Sequence, residues 1–219
     1  MSGIEGADPT RVLGAEEVAT SEGLSDWVPM LGTLESRFRL ADFRSAVGFV
    51  NRIAEAAEDA DHHPDIALRF RVVEVRLTSH DVGGLTIRDV ELARRISSIA
   101  GEFAAVAEPQ AIRRIELALD TWEENSVKPF WKAVLDLAES AAGELVDRGG
   151  VLPTIWFQTS GADTAQRWHL DLYVPPEEAQ ARISAALAAG GTMVSDDEAP
   201  RFTVLADPQG NRVCVCTYL

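Results

Sequence analysis

Positive charge is scarce in this chain. Twenty lysines and arginines face 35 aspartates and glutamates, giving a formal net charge of −15 at pH 7. Such a surface repels phosphate backbones and anionic lipid headgroups, which argues against a nucleic-acid binder and against membrane-surface docking. Cysteine is limited to Cys214 and Cys216. Two residues apart on a strand they share a face, a spacing poorly suited to a disulfide, and a reducing, cytoplasmic home is the simplest expectation. No apolar run approaches the roughly 20 residues needed to span a bilayer. The opening "MSGIEGADPT" lacks the basic and apolar regions of a signal peptide. HExxH and paired-cysteine zinc spacings are missing as well. Core material is plentiful: 46% of the 219 residues are hydrophobic, enough for one large domain or two small ones.

The first dozen residues read as loose, and a short helix is expected near 15–22. "LESRFRL" (34–40) alternates like a strand. The next segment has helical period, with Phe43, Ala46, Val47, Val50, Ala54 and Ala57 as its apolar stripe and Asp42 as its N-cap. Pro64 closes it. "IALRFRVVEVRLTSH" predicts one or two strands. On a continuous strand Val73, Val75 and Leu77 share one face, and Phe70 and His80 share the other. A "VGG" turn leads to a helix with full punctuation: Thr86 and Asp89 as a capping box, Leu85 and Val90 as a hydrophobic staple, and Leu92, Ile96, Ile99 and Phe103 as the buried stripe. "AAVAEPQ" (104–110) reads as a linker. Beyond it a strand, a helix and further strands occur twice, separated by the polar "GADTAQ", with a period of roughly 55 residues. The expected fold class is α+β, with a domain over 1–105 and a duplicated βαβββ domain over 106–219.

Three of the four histidines, His62, His63 and His80, fall within one stretch of 32 residues. Glu58 precedes His62 by four, so the two would stack on a helix end. Three readings are open: core filler, metal ligands, or proton-transfer groups. Adjacent histidines seldom converge both rings on one ion. A pair of imidazoles on opposite sides of a substrate suits an elimination, one protonating a leaving hydroxyl while the other takes a proton from the neighbouring atom. Glu58 would hold one ring in a chosen tautomer. Asp89 is accounted for by its cap position and is read as a positioning residue.

Glu58, His62, His63, Pro64, Phe70, His80 and Asp89 together resemble the signature of the pterin-4a-carbinolamine dehydratase family, as do "FRLADFRSAVGFVNRIAEAAE" and "TSHDVGGLTIRDVELARRI", over roughly residues 10–103. The resemblance implies an antiparallel sheet with helices on one face and dehydration of 4a-hydroxytetrahydropterin to quinonoid dihydropterin, in the service of aromatic amino acid hydroxylases. By carry-over His62 and His80 are the acid/base pair, supported by Glu58. His63, Pro64, Phe70 and Asp89 form the pterin-binding surround. No metal or organic cofactor is implied, and homo-oligomers, dimers or tetramers, are. The slot held by Phe70 is commonly tyrosine. The family also contains binding and assembly proteins without catalysis, which is the alternative reading of this chain.

The second half, through "FWKAVLDL", "RWHLDLYV", "AALAAGGTMV" and "VLADPQGNRVCVC", resembles the glyoxalase-like, vicinal oxygen chelate superfamily over roughly 110–219. Metal-using members carry His, Gln or Glu on the first and last strands of each module. His169 occupies a first-strand slot and Glu116 is its counterpart in module one, but Cys214 stands where Glu is usual, and a two-His/two-Glu shell is not completed. Three readings stay open for this half: a metal-free scaffold or binding module; a small-molecule site lined by His169, Glu116, Trp156 and Trp168; or a metal held by an altered ligand set.

Overall fold

The structure is a computed structural model that describes residues 8–161, 167–208, 210 and 212–219. The expected loose start lies partly outside the described residues, as does most of the polar "GADTAQ" stretch. The chain divides into two compact units: one up to Ile112 together with Tyr218–Leu219, and one over Arg113–Thr217. The division falls seven residues past the expected boundary.

In the first unit a short helix α1 (Ala15–Ala19) precedes β1 (Val28–Met30) and β2 (Thr33–Arg39). Helix α2 (Phe43–Ala60), β3 (Asp65–Arg69), β4 (Val72–Leu77), α3 (Ile87–Glu102) and β5 (Val106–Ala107) follow. The strands form one antiparallel sheet in the order β1-β2-β4-β3, and β5 also pairs with β2. That pairing draws the segment read as a linker into the first unit. Register places Leu34 opposite Leu77 and Phe38 opposite Val73, so the alternation of β2 and β4 sends one apolar face to the helices. The face away from them carries Arg37 paired with Glu74, and Arg76 paired with Asp65.

Aromatic rings run through this core. Phe38 meets Trp27 at 6.1 Å and Phe49 at 5.3 Å, and Phe49 meets Phe103 at 5.8 Å. Asp42 caps α2 by accepting from the Ser45 N–H at 2.7 Å. The buried face of α2 differs from the expected stripe: it is Ala46, Phe49, Ile53, Ala56 and Ala57, while Phe43 is 52% exposed and Val47 37% exposed. Apolar residues cover more than one flank of this helix, and contact with α3 and β4 selects the flank containing Phe49 and Ile53. The "IALRFRVVEV" stretch is two strands, not one. Phe70 sits in the hairpin between them at φ 57°, with its ring 72% exposed.

The second unit realises the duplication. Module one is β6 (Arg114–Thr121), α4 (Glu124–Leu135), β7 (Ala138–Glu139), β8 (Leu145–Val146) and β9 (Thr154–Thr159). Module two is β10 (Trp168–Tyr173), α5 (Pro176–Ala188), β11 (Thr192–Ser195), β12 (Phe202–Ala206) and β13 (Arg212–Cys216). The eight strands run β11-β12-β13-β10-β6-β9-β8-β7. Each module pairs its first strand in parallel with its last, β6 with β9 and β10 with β13, and the modules join through antiparallel β6 and β10. The order is therefore a palindrome about the β6–β10 seam.

Phe38→Ala removes a fully buried ring from the centre of the aromatic chain and is expected to destabilise the first unit by about 3–5 kcal/mol. Phe43→Ala, at the exposed flank of α2, is expected to change stability by less than about 0.5 kcal/mol. Urea unfolding of the two variants checks both values.

Candidate functional site

Asp89 is the hub of the first unit. Its carboxylate is fully buried. Oδ2 accepts from the Thr86 N–H at 2.7 Å and from Ser79 Oγ at 2.8 Å, while Oδ1 lies 2.8 Å from His62 Nε2. The capping box at the start of α3 is thus present, and the same carboxylate holds a histidine 27 positions earlier. Burial pushes the Asp89 carboxyl up, but the hydrogen bonds from His62, Thr86 and Ser79 outweigh it and leave it below the ordinary carboxylate range. Donation of the Nε2 proton to Asp89 leaves Nδ1 of His62 as the lone-pair nitrogen.

Local structure delivers each group to that hub. Helix α2 ends at Asp61 in the left-handed conformation (φ 47°), and the His62 N–H bonds back to the Ala57 carbonyl at 3.1 Å. His62 turns inward, its side chain 8% exposed, whereas His63 next to it is 57% exposed. On the other side, β4 runs into a tight loop closed by a Ser79–Gly84 bridge, with Gly83 at φ 68°. Ser79 is buried against Asp89, and His80 points out of the loop into solvent. The segments carrying His62 and His80 are therefore tied to one carboxylate, the first directly and the second through its neighbour Ser79.

Three expected placements change. Glu58 does not stack on His62, because the helix stops between them; it lies 3.3 Å from His63 Nε2 instead, at a fully solvated edge. Phe70 does not share a strand face with His80. Asp89 has no exposed surface with which to touch a substrate directly, so its place is behind His62. Pro64 is half-buried directly after His63.

In the second unit a cavity of about 650 Å³ opens on the inner face of the sheet; His169 and Trp156 line it together with Asp120, Asp171, Tyr173 and Cys214. Glu116 is not in its lining, although it is the cross-strand partner of Asp171. Trp168 points away from the cavity and packs edge-on against Trp131 at 4.9 Å in the core. His169 stands between two carboxylates: Nδ1 is 3.4 Å from Asp171 Oδ1, and Nε2 is 3.8 Å from Asp120 Oδ1. Asp171 Oδ2 accepts from the Trp156 indole N–H at 2.9 Å. Asp171 Oδ1 and Asp120 Oδ1 are buried without a short hydrogen bond, and the donors nearest Asp171 Oδ1 are the His169 ring and the Cys214 thiol.

Acids around Asp171 are shifted toward their protonated forms. Burial, then the charges of Glu144 and Asp171, push Glu116 up to about 7. Burial and Asp171 push the Cys214 thiol up to about 12, and Cys216 and Tyr173 are raised for the same reasons. His169 moves up as well, chiefly through its interaction with Asp171. Both cysteines are free thiols.

A buried carboxylate thus orients an inward histidine at the rim of a helix-on-sheet domain. Comparison with known proteins makes the class specific. Residues 11–99 match the pterin 4 alpha carbinolamine dehydratase family and residues 116–216 match a glyoxalase-like domain. A provisionally named pterin-4-alpha-carbinolamine dehydratase of Nocardia farcinica is 42% identical over 92 residues, covering 42% of this chain and 97% of that protein. One of the same provisional name from Thermosynechococcus vestitus is 41% identical over 90 residues, covering 41% and 95%. A solved structure, the transcriptional coactivator/pterin dehydratase of Brucella melitensis, is 31% identical, covers 42% of this chain and 100% of that one, and has a TM-score of 0.39. The chain belongs to the pterin-4a-carbinolamine dehydratase family through its first unit and carries a glyoxalase-like domain as its second. Among the described residues, no helix is long and apolar enough to cross a membrane.

Ser79, Asp120 and Asp171 escaped the sequence reading, and Cys214 was noted there only as a substitution. The signal for Asp171 was available, since "HLD" places His169 and Asp171 two apart on a strand and so on one face. Ser79 carried no such signal.

Two pH responses of opposite sign follow. The folded Asp89 carboxyl lies below its unfolded value, so its contribution is complete above about pH 4 and is lost as pH falls through the folded value. Asp89→Asn is expected to destabilise the first unit by about 1–3 kcal/mol at neutral pH and to flatten this acid limb in urea titrations. Glu116 is raised in the fold, so its unfolded form ionises first and the second unit loses stability between about pH 4.5 and pH 7. Glu116→Gln should raise stability at pH 8 by about 1 kcal/mol, its half-buried carboxyl being partly screened by water, and leave it unchanged at pH 4. The fluorescence of Trp122, Trp131, Trp156 and Trp168, all in the second unit, reports that transition.

Proposed function

We propose that the first unit dehydrates 4a-hydroxytetrahydropterin to quinonoid dihydropterin by histidine acid–base catalysis. The observation that carries this reading is the Asp89 carboxylate, which holds His62 Nε2 at 2.8 Å and Ser79 Oγ at 2.8 Å and so ties the His62 and His80 segments to one point. The reaction is an elimination. The C4a–O bond breaks, its electron pair leaves with the oxygen, and that oxygen takes a proton to depart as water. The N5 proton is removed and its electron pair forms the C4a=N5 bond. Both transfers suit imidazole near neutral pH. His62, with its Nε2 proton committed to Asp89, offers Nδ1 as the base. His80, exposed on its loop, supplies the proton to the leaving hydroxyl. His63, exposed and steadied by Glu58, binds and orients the pterin.

His62→Ala and His80→Ala are each expected to lower kcat by about 10²–10⁴-fold, and His63→Ala to act mainly on KM. Stopped-flow conversion of 4a-hydroxytetrahydropterin, generated by an aromatic amino acid hydroxylase, measures all three. Full turnover in every variant defeats the assignment. Wild-type protein that leaves the spontaneous rate unchanged would assign the fold to protein partnership instead.

A further inference from the structure

The charges around the cavity of the second unit are unevenly placed. His169, Asp171 and Tyr173 face it from β10, and the four steps from His169 to Tyr173 cover about 13 Å. Strand register assigns each arginine of the lining to one end. Arg212 stands beside His169, each being one residue before the Leu170–Val213 pair of β10 and β13. At the other end Tyr173 is next to Cys216, Cys216 is next to Phe202 on β12, and Arg201 precedes Phe202. We propose that this cavity binds a small, flat organic acid, its carboxylate paired with Arg201 and its apolar body held against Phe202, Val204 and Trp156.

At the His169 end the charges balance. Asp171 and Asp120 lie 3.4 Å and 3.8 Å from the ring nitrogens. Asp171 above all draws the ring toward its protonated form, while burial and the Arg212 charge oppose it. Two carboxylates there face one imidazole and one guanidinium. The Tyr173 end has no such balance. Among the described residues no carboxylate pairs with Arg201, whose guanidinium lies 5.9 Å from the centroid of the Phe202 ring. Its charge nevertheless reaches the inner face: burial raises Tyr173 and Cys216, and Arg201 pulls against that rise in both. Glu116 also acts on Tyr173, but burial pushes it up to about 7 and it is not part of the lining.

Shape and charge together select the guest. A cavity of about 650 Å³ falls in the range of small-molecule sites. Phe202 and Trp156 stand at the two ends of the β12-β13-β10-β6-β9 run of the sheet, so a flat ring system meets an aromatic wall on either side. The chain carries a net charge of −15, which repels anions at long range. Charges beyond about 8 Å are screened at physiological salt, however, so the arginine at the rim decides what enters. A guanidinium fork matches a carboxylate with two parallel hydrogen bonds, which a neutral amide of the same shape forfeits and a cation reverses.

The test titrates the full chain at pH 7 with 2-naphthoate, its neutral isostere 2-naphthamide and the cation 2-naphthylmethylamine, by isothermal calorimetry. The expected result is one acid bound per chain, at least about 10-fold tighter than the amide, with the amine weakest of the three. The advantage of the acid should shrink as salt rises. Arg201→Gln should remove that advantage and leave the affinity for the amide unchanged, whereas Arg182→Gln, at an exposed position of α5, should alter neither. Val204→Trp, which fills the cavity from β12, should abolish binding of acid and amide alike, and far-UV circular dichroism verifies that each variant is folded. Equal affinity for acid and amide, tighter binding of the amine, an acid preference that survives Arg201→Gln, or no binding of the acid at millimolar concentration would overturn the proposal. So would binding that survives Val204→Trp, and its loss in His63→Ala would then place the guest in the first unit. Arg201→Gln should leave pterin turnover unchanged, so this proposal and the dehydratase reading of the first unit stand or fall separately.

Discussion

A single buried carboxylate organises the first unit. Asp89 accepts the Thr86 amide that would otherwise be an orphan donor at the start of α3, the Ser79 hydroxyl at the base of the β4–α3 loop, and the His62 ring beyond the end of α2. An unpaired charge at this depth would be costly, so these bonds form together or the helix start, the loop and the histidine all lose their anchor. The capping role and the histidine-orienting role therefore describe one interaction. A carboxylate with two oxygens and about four lone-pair sites can serve both without compromise, and this is how a position that local sequence fully explains can also belong to a site.

Features encoded by near neighbours in the chain were legible beforehand. The Thr86–Asp89 box, the Asp42 cap, the alternation of β2 and β4, and the repeated βαβββ unit each depend on spacings of a few residues or on a repeat. The errors arose where tertiary contact chooses between local options. Helix α2 carries apolar residues on two flanks, and only packing against α3 and β4 exposes Phe43 while burying Phe49. Phe70 alternates correctly for a continuous strand, yet the chain turns there at φ 57° and leaves the ring in water. Glu58 and His62 have helical spacing, but Asp61 leaves the helical region between them, so Glu58 meets His63 instead.

The second unit was legible as a scaffold and opaque as a site. Its palindromic strand order follows from duplication, and duplication shows in the sequence. The cluster on its inner face does not, because His169, Asp171, Cys214 and Asp120 come from three strands whose register is fixed only by the closed pairing of β6, β10 and β13. The cross-strand partners Glu116, Asp171 and Cys214 put two acids and a thiol side by side. Their burial, and then their mutual repulsion, push both the Glu116 carboxyl and the Cys214 thiol toward their protonated forms.

The two units set the same pair of side chains to different ends. Each places a buried aspartate against a histidine: Asp89 with His62, and Asp171 with His169. In the first, every oxygen of the carboxylate has a donor and the ring sits at 2.8 Å, so the pair is complete without a guest and fixes the ring through its Nε2. In the second, the ring is held at 3.4 Å, and the other oxygen of the carboxylate takes the Trp156 indole N–H at 2.9 Å. The difference lies in the neighbours, because Asp89 takes a backbone N–H from Thr86 and a hydroxyl from Ser79, while Asp171 has side chains alone around it: Trp156, His169 and Cys214. Short-range capping chemistry thus makes the first aspartate a fixture of its fold, and its absence around Asp171 leaves that carboxylate to the longer-range charges of His169 and of the Arg201 and Arg212 side chains that line the same cavity.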